Sequence, residues 1–462
     1  MTARLLIIAL DGADGPLLDR LSADGTLPNI GALRSRGSAN ALSAPAGVTD
    51  DGLWASFQYA SGLGDHGRYN FQQRLADGRM GMAFRDETDR ETFWDRVAAD
   101  GHRVAVFDVP KCRPPRAING IHLADWLVHG RYFSKPLSYP DTLAGDVVER
   151  FGAAPPSRCG RDENLDDAGV LEVAANLETS LASKRAAALH YLSAEPWDLF
   201  IVGFKEIHCA GHLLWDLVDS HHPLHDAARV ERLGDPFAAL LRKVDAAVGD
   251  LVAAAGQQAG IVLFSTTGME PNATLVHLMP EIVRRLNAQF GPSWLETTAN
   301  LFRRRSRRRQ LCEILPYNEN CVALRVNHRD GFWQATKKSA IVAQIDAVLR
   351  DLRHEATGEK VVSGIDRPSA SQAGARRAAL PDLLVHLVPG VVPRSVRCGR
   401  LGTTEAELPR LRTGNHAAGG FVIRAGKTVA GAHIGSMQEI GPLAQMILRA
   451  PAPRPDREEK TR

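Results

Sequence analysis

Four short apolar runs constrain this chain more than any other feature in it. Leu5–Leu10 reads LLIIAL without a polar interruption, the signature of a central strand buried on both faces. Leu199–Phe204, Arg103–Val109 (RVAVFDV) and Gly260–Phe264 (GIVLF) read as further buried strands. Between them lie helical stretches, among them Glu91–Ala99, the helix-rich segment 140–195 and the amphipathic Phe237–Ala255. Buried strands alternating with helices imply an α/β three-layer sandwich, with a mostly parallel central sheet and helices on both faces. Such sheets carry their chemistry at the carboxyl ends of the strands.

Two strand ends answer that description. Leu10 is followed by Asp11-Gly12, and a lone Asx-turn is the plain alternative to a functional carboxylate. Phe204 is followed by Lys-Glu-x-His-x-x-x-His, which ends in His208 and His212. If this segment is helical, residues four apart share one face, and both imidazoles reach one metal ion. Upstream, Thr49, Asp50 and Asp51 place a hydroxyl and two carboxylates just before a helix around Trp54, where capping accounts for one of them. The three histidines of Asp219–Asp226 (DSHHPLHD) follow a proline-containing loop and read as surface. Cys112–Arg116 has the form C-x-P-x-R that sulfatases oxidise, but it follows the strand at 103–109 rather than lying near Thr49.

Composition narrows the classes. Of 462 residues, 44% are hydrophobic and 24% charged, and the net charge of +3 is too mild to argue for a nucleic-acid partner. Arg303–Arg309 holds six arginines in seven residues and reads as a solvated face. The six cysteines form no C-x-x-C pair, which argues for a reducing, cytoplasmic setting and against a cysteine zinc site. No stretch approaches a membrane span, and the N-terminal apolar run is short for a signal peptide. One α/β domain over 1–450 is expected, with 290–375 as a cap or insert. Residues 451–462, proline and charge almost alone, are expected to form a disordered tail. Oligomeric state is not legible.

Taken in order, strand–Asp11-Gly12, LPN-x-x-x-L-x-x-x-G from Leu27 to Gly37, W-x-S-F from Trp54, His66-Gly67, and Gly414-x-His416 followed by Gly420-Phe421 resemble one family. It is the type I phosphodiesterase/nucleotide pyrophosphatase branch of the alkaline phosphatase superfamily. The resemblance implies an alkaline-phosphatase-like fold and a two-metal site, usually zinc, beside a Thr or Ser nucleophile. One metal takes an Asp and a His from D-x-x-x-H plus the late histidine. The other takes the first-strand Asp, the nucleophile and an Asp-His pair. Asp11, His212 and His416 match that pattern.

Three positions depart from it. His208 stands in place of the Asp, so the first metal would have His208, His212 and His416, a sound zinc set with a fourth position open. Thr266-Thr267 replaces the Asp-His pair, which puts the second metal in question. The nucleophile position, four before Trp54, is Asp50, with Thr49 one residue earlier. With one zinc, an activated water with Asp50 or Glu206 as base replaces attack by Thr49. The expectation is a metal-dependent hydrolase of small phosphoric esters, using Zn²⁺ with Mn²⁺ as a substitute. The alternative is a non-hydrolytic relative that binds an anionic ligand or a protein partner.

Overall fold

The computed structural model describes residues 3–44, 50–75, 79–86, 90–128, 132–290, 310–317, 320–327 and 335–450. Thr49, the arginine run and the 451–462 tail lie outside the described residues. Among the described residues, eight strands form the main sheet, in the order Ser38–Leu42, Gly420–Ala425, Gly260–Ser265, Ala3–Leu10, Trp197–Phe204, Val104–Phe107, Gly120–Ala124 and Leu137–Tyr139. The five from Gly260–Ser265 to Gly120–Ala124 run parallel, and the strands outside them pair antiparallel. The expected three-layer α/β architecture is the one observed.

The first strand shows why the layers form. Its side chains alternate, so Leu6, Ile8 and Leu10 enter one apolar cluster while Leu5, Ile7 and Ala9 enter another. The first cluster is covered by helices Gly15–Ala23, Pro28–Arg36, Asp167–Ala194 and Pro236–Ala255. The second is closed by Trp54, Phe57, Phe93 and Trp94, with Ile440, Leu443 and Ile447 of the last helix. A strand buried on both sides needs an apolar residue at every position, which is what LLIIAL supplies.

A second sheet, antiparallel and four-stranded, is built from Cys312–Leu315, Cys321–Val326, Leu383–Leu387 and Val362–Asp366 in that order. It has its own apolar cluster with helices Met279–Phe290 and Ala335–Arg350. The sequence reads Gly364–Ala379 as loop. In the structure its start belongs to the strand Val362–Asp366, whose pairing with Leu383–Leu387 sequence polarity conceals. Among the described residues, no helix is long and apolar enough to cross a membrane.

Candidate metal centre

Parallel strands end at one edge, and here that edge gathers the unusual residues of the sequence. Asp11 follows the first strand, Lys205–His212 follows Trp197–Phe204, Thr266-Thr267 follows Gly260–Ser265, and Lys111 lies just past Val104–Phe107. Gly12 makes the first close approach possible: its φ is +66°, and a Cβ there would stand 3.0 Å from the Cα of His208.

The expected helix after Phe204 forms over Glu206–Val218, and His208 and His212 share its inner face. His416 arrives on the strand Gly414–Ala417, which pairs with Gly268–Pro271 and sets His416 opposite Met269. Gly414 lets that strand press against the helix, since a Cβ there would lie 2.0 Å from the carbonyl oxygen of Gly211. The three imidazole rings end up buried with centroids 4.5–4.7 Å apart. His212 Nδ1–H donates to the Gly414 carbonyl oxygen at 3.0 Å, which turns Nε2 towards the other two rings as a lone-pair donor. The nitrogen ligand atoms of the trio lie within 4.8 Å of one another, and their chemistry fits a zinc-like ion.

Beside the trio lies an acidic group. One ligand atom each from Asp11, Asp50 and His208 falls within the same 4.8 Å limit. Trp54 Nε1–H donates to Asp11 Oδ1 at 3.1 Å, and His208 Nδ1 stands 3.3 Å from Asp11 Oδ2. Burial pushes the Asp11 carboxyl up, but the His208 imidazole and the Lys111 ammonium together hold the group below its ordinary range. Burial likewise opposes charge on His208, and Asp11 reverses this and raises its pKa to about 10. His212 goes the other way: burial, then Arg412, keeps it neutral well below the usual histidine value. A neutral ring is the form that binds metal, so His212 is ready as a ligand, whereas an ion at the trio would have to displace the proton that Asp11 favours on His208.

Asp50 opens the helix Asp50–Tyr59, completely buried, with Thr266 Oγ1–H donating to its Oδ1 at 2.8 Å. Its second oxygen faces Lys111, whose ammonium also reaches Asp51 Oδ1 at 2.5 Å. Burial opposes ionisation of Asp50, and Lys111 and the neighbouring imidazoles more than compensate, so the carboxylate stays charged. Lys111 was not singled out in the sequence. The available signal was its place, as the first cation after the strand that ends at Phe107.

Glu206, the other candidate base, is held by different partners. It turns away into a buried network in which it accepts from Ser180 Oγ–H at 2.7 Å and pairs with Lys184 at 3.4 Å. Asp108 completes that network, 2.8 Å from both Lys184 and Lys205. His222, expected at the surface, is buried with Nε2 3.0 Å from the Thr413 carbonyl oxygen, so it braces the segment that carries His416. Cys112 is buried in the core, with burial pushing its thiol up to about 12.

A cavity of about 670 Å³ opens on His208 and His212, and Phe71, Tyr132, Ile314, Tyr317 and Arg412 are among the residues of its wall. A smaller one of about 260 Å³ reaches Asp50 and His416. Both are walled in part by the second sheet.

Phosphonoacetate hydrolase from Sinorhizobium meliloti 1021, solved with phosphonoformate, superposes with a TM-score of 0.52 at 12% identity, covering 96% of each chain. An inactive variant of murine ectonucleotide pyrophosphatase/phosphodiesterase 5, solved with AMP, superposes at 0.50 with 9% identity, covering 96% of this chain and 95% of the other. At such identities the likeness is one of fold. No curated protein matches the chain. The family profile described as "Type I phosphodiesterase / nucleotide pyrophosphatase" matches residues 5–395, which stops short of His416. With most of its length inside that match, the chain belongs to the type I phosphodiesterase/nucleotide pyrophosphatase family.

Proposed function

We propose that the chain is a metal-dependent hydrolase of phosphoric esters with a single divalent ion, zinc or in its place manganese, held by His208, His212 and His416. The convergence of three buried imidazoles beside Asp11 and Asp50 carries this reading. A bound ion of this kind supplies Lewis acidity to a phosphoryl oxygen. The chain's own groups do the rest. The Gly414 carbonyl and Asp11 orient His212 and His208. Asp50, kept ionised, accepts a proton from the attacking oxygen. Lys111 sets a buried positive charge beside Asp50, in the part of the site where Thr266-Thr267 supplies hydroxyls instead of an Asp-His pair. We take this ammonium as the replacement for the family's second ion.

The larger cavity fits the substrate. Its aromatic and aliphatic walls suit a planar or alkyl ester group, and Arg412 suits a second negative charge. The test is hydrolysis of bis(p-nitrophenyl) phosphate by zinc-loaded and chelator-treated protein, with His212→Ala alongside. Turnover that needs the metal and is lost in the variant is expected. Turnover by neither metal-loaded wild type nor manganese-loaded wild type, on this and a panel of phosphomonoesters, would overturn the reading.

The same Thr266–Asp50–Lys111 bonds favour one alternative, a non-hydrolytic relative that binds an anion. Ligand-induced stabilisation that chelation leaves intact, without turnover, would decide for it.

A further inference from the structure

The second sheet holds a constellation outside the metal centre. Cys321 begins the strand Cys321–Val326 and lies directly across from His386 on Leu383–Leu387. Cys321 Sγ stands 3.3 Å from His386 Nδ1, and His386 Nε2 stands 2.8 Å from Asp366 Oδ2 on the next strand. The carboxylate accepts only, so Nε2 carries the proton and Nδ1 presents its lone pair to the thiol. This is the order of groups that activates a nucleophilic sulfur: a thiol, an imidazole to take its proton, and a carboxylate to hold the resulting imidazolium.

Place and exposure strengthen the case. Cys321 lines both the cavity that opens on His208 and His212 and the one that reaches Asp50 and His416. Of the six cysteines it alone is not buried. The His386 and Asp366 side chains are 33% and 30% exposed, so solvent and small reagents reach the group. Cys112 provides an internal contrast. It too lies near an imidazole, with His122 Nε2 at 3.5 Å, but that pair is sealed in the core without a carboxylate on the ring.

We propose that Cys321 is a modification site, a thiolate paired with the His386 imidazolium that reacts with hydroperoxides and small electrophiles at the shared wall of the two cavities. With a hydroperoxide ROOH, the thiolate sulfur attacks the terminal oxygen. The S–O bond forms as the O–O bond breaks, and sulfur is oxidised by two electrons. The departing alkoxide takes the proton held by His386, giving Cys–SOH and ROH. An added group at Cys321 projects into the route to the metal centre and slows ester hydrolysis. This last step rests on the hydrolase reading; the reactivity of the thiol does not.

The experiment is timed alkylation of the folded chain by iodoacetamide at pH 6.5, read by peptide mass, with Cys112 as the unreactive control. An ordinary thiol is only about 1% thiolate at that pH. Cys321 is expected to label about tenfold or more faster than glutathione. The rate should fall towards that of glutathione in His386→Ala, and part of the way in Asp366→Asn. Hydrogen peroxide followed by dimedone should tag the same peptide. Labelling no faster than glutathione, or the same rate in both variants, overturns the proposal. Labelled wild type should lose turnover, while the reagent leaves that of Cys321→Ser where it started. Full turnover with Cys321 fully alkylated would overturn the obstruction. Since labelling is read by mass, a chain that hydrolyses no ester would sink the hydrolase reading and leave this test standing.

Discussion

Lys111→Met separates a structural lysine from one that stands in for a metal ion. The side chain keeps its length and loses its charge. Lys111 and Asp51 side chains are each 4% exposed and Asp50 is 0%, so water offers little help to any of the three. Removing the ammonium that contacts both carboxylates leaves two buried negative charges without it. Breaking a buried pair in this way costs about 3–5 kcal/mol. We predict that loss in urea unfolding at pH 7.5 with chelator present. Acid should reduce it, because one carboxylate can then take a proton. A divalent ion should reduce it too, by filling the vacated place between Asp50, Asp51 and Asp11. At a free ion concentration 100 times its Kd, the recovery is about 2.7 kcal/mol. Metal content should rise from one to two per chain. An unchanged urea midpoint in chelator would refute the buried pair. A fall in midpoint that zinc and manganese do not recover, with metal content fixed at one, would refute the replacement.

The other predictions concern the same scaffold. Metal analysis of wild type is expected to give one ion per chain, and His416→Ala should reduce it to near zero; two ions in wild type would contradict the single site. Gly414→Ala forces a Cβ to within 2.0 Å of the Gly211 oxygen and pulls the carbonyl away from His212. Zinc affinity by chelator competition should drop 10–100-fold, the usual cost of losing a partner that orients a ligand, and an unchanged affinity would sink the idea. Burial, then Arg113, pushes His122 down to about 3 from 6.5. The unfolded chain therefore binds the proton that the folded chain refuses, so stability is retained above pH 6.5 and lost as pH falls from there to about 3. The slope from this one group is at most about 1.4 kcal/mol per pH unit. His122→Gln in chelator should flatten the urea-midpoint curve between pH 6.5 and 5, and an equal slope would refute the assignment.

Much of the fold was legible because the features that specify it are local. LLIIAL and GIVLF declare strands buried on both faces, and the amphipathic stretch Phe237–Ala255 forms the helix Pro236–Ala255. The second sheet was harder to see. Its strand Val362–Asp366 is short and polar, and is specified by its neighbour rather than by its own pattern. The site divides in the same way. Asp11, His208 and His212 stand out in the sequence because they follow buried strands, where such sheets carry their chemistry, whereas His416 entered through the family resemblance alone. Glu206 was misread for want of its partners, since Ser180 and Lys184 approach from a helix that precedes it in sequence. Lys111 was missed because a lysine after a proline looks like any surface residue until Asp50 and Asp51 close around it.

The departures from the family pattern make sense together once charge is counted. Asp11, Asp50 and Asp51 are three buried carboxylates close enough to Lys111 to act on its ammonium, and such groups stay ionised only when cations face them. An Asp-His pair at 266–267 would have added another carboxylate and asked for a second metal ion. Two threonines add none, and Thr266 instead donates a hydrogen bond to Asp50. Replacing an aspartate by His208 removes one more negative charge and supplies, through its contact with Asp11, a partner that favours the ionised carboxylate. Lys111 then serves Asp50 and Asp51. On the proposed reading, the set forms a site whose remaining need for a cation would be met at the three histidines.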